Sequence, residues 1–105
     1  MGKRFKNRRG RTSTAAPPEI QHAMALHQEG NLVKAEALYR NFLREHPDHG
    51  DVRHLVGAIA LQTGRFQEAE EMVRQALDLE PDHPFFHNTL GEAFRFQGKL
   101  DDAER

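Results

Sequence analysis

Three histidines and two aspartates fall within the nine residues His46-Pro47-Asp48-His49-Gly50-Asp51-Val52-Arg53-His54. Imidazole and carboxylate both ligate zinc, so the stretch first reads as a candidate metal centre. Such a site needs at least three of these side chains to converge on one point. Whether they converge depends on the elements that hold them.

No other group in the chain assembles a catalytic constellation. There is no Cys, which excludes disulfides, thiolate zinc sites and a cysteine nucleophile. Ser13 is the only serine and lies among Thr12, Thr14 and the alanines before Pro17, a linker composition. No Gly-rich phosphate loop and no zincin motif is present. Glu68, Glu70 and Glu71 cluster, but such a run on a helix reads as a solvated face. The chain therefore reads as a non-enzyme, with no cofactor and no metal.

The elements follow from a repeat. Displacing the sequence by 34 residues aligns Gly30, Gly64 and Gly98, and likewise Ala35, Ala69 and Ala103. Glu36, Glu70 and Glu104 follow in register. Leu32, Phe66 and Leu100 form an apolar column, and Ala23, Gly57 and Gly91 a small one. Pro47-Asp48-His49 matches Pro81-Asp82-His83. In each unit the second half is apolar on one helical face: Ala35, Leu38, Tyr39, Phe42 and Leu43, then Ala69, Met72, Val73, Ala76 and Leu77.

The spacing predicts first helices near 18–29, 51–63 and 85–97. It predicts second helices near 33–45 and 67–79, with a third starting at about 100. Gly30, Gly64 and Gly98 sit where a left-handed helix stop is wanted. Pro47 and Pro81 end the second helices, because proline disfavours helical geometry in the residue before it. The small residues at 57 and 91, with Ala35, Ala69 and Ala103 opposite, predict closely approached helix hairpins.

These columns resemble the tetratricopeptide repeat (TPR), a 34-residue helix-turn-helix unit. The resemblance covers residues 17–105, about two and a half units, at 16–49, 50–83 and an incomplete 84–105. The second unit carries it best, through Leu55-Val56-Gly57, Ala60, Gly64-Arg65-Phe66, Ala69, Ala76-Leu77 and Pro81. The first unit departs at Phe42, where the family usually has alanine, and has Ala23 for the usual glycine.

The resemblance implies an all-α fold, a right-handed superhelical array of antiparallel helix hairpins. It also implies a concave groove, lined by first helices, that binds a peptide or helix of another protein. Carried onto this chain, the partner-binding residues are Ile20, Met24 and His27, then His54, Leu55, Ala58 and Leu61, then Asn88, Glu92, Arg95 and Phe96. Gln21, Gln28, Gln62 and Thr89 flank them. The paired Lys and Asn residues with which some relatives clamp a C-terminal carboxylate are missing at Ile20, Met24, His54 and Ala58. Apolar positions at Met24, Leu55, Leu61 and Phe96 favour a ligand with an apolar anchor.

The family register also resolves the histidine-rich stretch. His46 ends one helix, where positive charge is favoured, and Asp48 belongs to the turn. Asp51 suits a helix start, as cap or first-turn acid. His54 enters the next first helix as a candidate groove contact.

Two features lie outside the repeats. Lys3, Arg4, Lys6, Arg8, Arg9 and Arg11 make residues 1–16 a basic leader and linker with no acid. The rest of the chain holds 9 basic and 16 acidic residues. The leader fits a solubilising role, a contact with RNA, the ribosome or anionic lipid through residues 3–11, or a fold-back on the acidic body. Met1-Gly2 is not followed by Ser or Thr at position 6, which is Lys6, so myristoylation is not indicated. No apolar run reaches the roughly 18 residues of a membrane span, and the default compartment is the cytoplasm.

At the other end, Phe85, Phe86, Leu90, Phe94 and Phe96 crowd the third first helix. A repeat does not bury its apolar face alone. The expectation is a longer protein or self-association through this end. The repeat's opening is similar to the N-terminal region of bacterial multidomain TPR proteins. The alternative function is therefore the substrate-recruiting arm of a larger glycosyltransferase-, sulfotransferase- or methyltransferase-like enzyme, rather than a scaffold alone.

Overall fold

The computed structural model describes residues 16–103, with side chains to residue 98. The basic leader, Ala103 as a packing position and the third alanine–glutamate pair lie outside the described residues or side chains. Five helices follow in order: α1 (Pro18–Gln28), α2 (Leu32–Glu45), α3 (Gly50–Gln62), α4 (Phe66–Leu79) and α5 (Pro84–Ala103). No strand occurs among the described residues. Each helix packs on its neighbours in sequence, and α3 also touches α5. This is an all-α array of helix hairpins.

The hairpin turns form as the glycines require. Gly30 and Gly64 have φ of 85° and 82°, a region open to glycine at little cost. Each turn satisfies the last carbonyls of its helix. Gly30 N–H donates to His27 O and Asn31 N–H to Leu26 O, at 3.1 and 2.9 Å. Gly64 and Arg65 repeat the pattern onto Leu61 O and Ala60 O. Pro17 and Pro18 open α1, where no N–H is needed.

The predicted stop at Gly98 does not form: α5 continues through it to Ala103. Only Gly30 and Gly64 have positive φ among the described glycines. At those two turns a 14-residue amphipathic helix folds back and buries its face. At Gly98 helix propagation, which adds one hydrogen bond per residue, wins instead.

The core follows the repeat columns. Ala35, Tyr39, Phe42 and Leu43 of α2 are buried, as are Ala69, Met72, Val73 and Ala76 of α4. Between them α3 buries Val52, Val56, Ile59 and Ala60. Gly57 is required by space. A Cβ there would stand 2.8 Å from Val73 Cγ2 and 3.4 Å from the Ala69 carbonyl. The matching approach at Gly91 is absent among the described residues, with nothing within 4 Å of an added Cβ.

Two polar devices join the units. Arg53 Nε and His87 Nε2, 34 residues apart, donate to the carbonyls of Pro47 and Pro81 at 2.7 and 2.6 Å. Arg65 clasps Glu36 across the unit boundary with both terminal nitrogens, at 2.6 and 3.0 Å. Arg40 bridges Glu36 and Glu68, and Arg65 also reaches Glu68. The Arg65 hydrogen bond is the largest effect holding the Glu36 carboxyl below its ordinary range. Glu68 and Glu70 are therefore not simply a solvated face. Glu70 accepts from Arg74 and, across the next boundary, from Gln97.

Candidate functional site

The histidines of the opening stretch are separated by the fold. His46 is the C-cap of α2 and stacks on Phe42, with ring centroids 4.4 Å apart. His49 is the N-cap of α3, its Nδ1 accepting from Val52 N–H at 3.3 Å. Asp51 is thus a first-turn acid and not the cap. Among the described residues no three His, Asp or Glu side chains are grouped to hold a metal ion.

His54 lies half-buried between α3 and α5. The Thr89 hydroxyl donates to the Phe85 carbonyl at 3.0 Å, so it accepts from His54 Nε2–H at 2.7 Å. The His54 ring packs 4.8 Å from Phe86. His83 also stacks on Phe86, at 3.7 Å with its plane 3° away. Burial holds the His54 imidazole below its ordinary value; the charge of His83 acts the same way, and Asp51 opposes it. His54 is thus a strut of the α3–α5 seam.

His27 makes the equivalent link between α1, α2 and α3. With the Gln62 carbonyl oxygen accepting at 2.7 Å, His27 donates from Nε2. Its Nδ1 then accepts from the Tyr39 hydroxyl at 3.2 Å. Burial pushes the Tyr39 phenol up to about 12.

The other predicted contacts divide by exposure. Ile20 is 2% exposed and belongs to the core cluster that also holds Tyr39, Val52 and Val56. It is not available to a partner. Thr89 is likewise buried. Met24, Leu55 and Leu61 are half-buried against core clusters and keep part of their surface open. Ala58 and Glu92 are half-exposed, and Asn88, Arg95, Gln21, Gln28 and Gln62 exposed. Phe96 stacks on Phe66 at 5.5 Å, beside the α3–α4 turn. Arg95 lies 3.9 Å from Glu92 and 5.9 Å from the Phe96 ring centroid.

Two residues escaped the sequence reading. Phe85, assigned to stacking, is 70% exposed and shares the register of Asp51. Its 34-residue alignment with that exposed acid was the available signal. His83 was read only as turn punctuation, yet its Nδ1 is the one buried side-chain nitrogen or oxygen without a partner among the described residues. Nothing local in the sequence marks that.

At 100° per residue, Phe85, Asn88 and Glu92 lie on one side of α5, away from buried Phe86 and Ala93. Asp51 and Ala58 take the same positions on α3, and Met24 on α1. The arrangement offers alternating acid, small apolar and aromatic contacts. No described helix is long and apolar enough to cross a membrane.

A family model described as tetratricopeptide repeat matches residues 26–84 and again 60–105. No curated protein matches the chain.

Proposed function

The chain belongs to the tetratricopeptide-repeat family, whose repeats generally mediate protein–protein interaction, and on that premise we propose that it is a non-catalytic module holding a partner peptide or helix against the face of its first helices. One observation carries the reading. Met24, Ala58 and Glu92 recur at one register of α1, α3 and α5 and keep open surface, while the residues behind them are buried. Regular helices carry the contacts, so the face is rigid before binding and little ordering entropy opposes association.

The ligand this face suits has an apolar anchor. Ala58 is small and half-exposed, Met24 and Leu55 keep part of their surface open, and Phe85 adds an exposed ring. Asp51 and Glu92 favour a basic residue beside that anchor.

Peptides selected from a random display library against the whole chain test this. Ala58→Arg with Glu92→Lys should weaken the selected peptides at least about tenfold, about 1.4 kcal/mol, with an unchanged melting temperature. Unaltered affinity in that variant would sink the reading.

A further inference from the structure

Side chains from α2, α3 and α4 surround a hollow of about 320 Å³ at the boundary of the first two units. Its lining is Arg40, Arg44 and Arg53, with Leu43 and Met72. None of these residues belongs to the first-helix face proposed for partner binding.

The charges make the hollow unusual. Over residues 16–98 acids outnumber Lys and Arg by 13 to 7. Arg40, Arg65, Arg74 and Arg95 each have a carboxylate within ion-pair distance. Arg44 and Arg53 are the two described arginines without one, and both line this hollow. No carboxylate lines it.

The guanidinium groups are also placed and partly unused. Arg53 is held by its Nε bond to Pro47 O and by Gln75. Arg40 is held through Nε and one terminal nitrogen by Glu36 and Glu68. Arg44 bonds only Asn41 on its own helix, at 3.1 Å. The remaining N–H groups belong to three side chains that line one open hollow. A planar fork matches the oxygens of phosphate or carboxylate in a bidentate manner. Leu43 and Met72 supply an apolar wall, and pockets of this size accept small ligands.

We propose that this hollow is a second binding site, which takes an oxyanion, a phosphate monoester or a carboxylate, joined to an apolar group. The anion lies among Arg44, Arg53 and the open edge of Arg40, and the apolar group lies on Leu43 and Met72. Arg44 supplies charge and the last contact, while Arg40 and Arg53 are fixed in advance.

Phenyl phosphate, benzoate and inorganic phosphate titrated into the whole chain test the site, with phenol as the neutral control. NMR follows the arginine Nε–H signals and the Met72 and Leu43 methyls. The expected result is saturable shifts at Arg44, Arg53 and Met72 with Kd on the order of 1–10 mM. Phenyl phosphate tighter than benzoate identifies a phosphate site, and the reverse order a carboxylate site. Inorganic phosphate should bind about threefold more weakly or worse, and phenol not at all. Arg44→Gln, which disturbs only an exposed bond, should weaken phenyl phosphate about fivefold. Shifts confined to residues 3–11, shifts unchanged in Arg44→Gln, or no saturation by about 30 mM would overturn the site.

Discussion

Helices α3 and α5 occupy the same register of successive units, yet they live in different surroundings. At Gly57 the covering helix α4 is so close that a methyl group would meet Val73 at 2.8 Å. At Gly91, 34 residues on, nothing lies within 4 Å. Ala60 is fully buried, whereas Phe94 at the matching position is 45% exposed under Arg74. The inner face differs less, because Val52 and Phe86 are both buried. A repeat position therefore prescribes a residue's direction, while the neighbouring helix decides whether its surface is covered.

The largest effects should separate the inner and outer faces of α5. Phe86→Ala removes the buried ring on which His54 and His83 both pack and should cost about 3–5 kcal/mol in denaturant unfolding. Phe94→Ala on the open face should cost less than about 1 kcal/mol. Equal losses would break the comparison.

Next come the two glycines. Gly57→Ala should destabilise by about 1–3 kcal/mol through overpacking, despite the gain in helix propensity. Gly91→Ala meets no neighbour and should stabilise by about 0.8–1 kcal/mol. Thermal melts with opposite shifts are the expected result, and a melting temperature lowered in both variants would place an unrecognised partner on α5.

The carboxylates at the two unit boundaries should differ less. Glu36, clasped by Arg65 and Arg40, has a side chain only 15% exposed. Its change to Gln should cost about 1 kcal/mol, and Glu70→Gln a few tenths, since exposed pairs are weak. Each loss should shrink in about 1 M salt.

Acid should sharpen the contrast further. The folded state holds His54 below its ordinary 6.5, so it favours the neutral ring. That contribution is fully present above 6.5 and is lost as pH falls through 6.5 towards the folded value. Glu36 is held below its ordinary 4.5, so its contribution is present above 4.5 and lost as pH falls further. The α3–α5 seam should therefore weaken first, by less than about 1 kcal/mol between pH 7 and 5.5. His54→Gln should flatten that slope in urea unfolding followed across this pH range. An unchanged slope would remove His54 from the account.

Much of the array was legible because one periodic pattern recorded it twice. The turns at Gly30 and Gly64, the small column at Gly57 and the buried faces of α2 and α4 all depend on residue types the repeat displays. At Gly98 the repeat spacing predicts a stop, and the helix runs through it, because the spacing alone does not fix the backbone conformation of a glycine. Ile20 and Phe85 exchanged expected roles for a similar reason. One is shut in by the α1–α2–α3 core, and the other is left open. The Glu36–Arg65 clasp joins residues 29 apart, so reading helices one at a time missed it. The arginine hollow needed three elements together, and only the identity of its residues was in the sequence.

The most direct test of the account maps a selected peptide onto the whole chain by NMR chemical shifts. The account predicts the largest shifts at Met24, Ala58, Phe85, Asn88 and Glu92, with Phe42 and Val73 little moved. Largest shifts on the α2 and α4 surfaces, with the Ala58 and Glu92 signals unmoved at saturation, would contradict it.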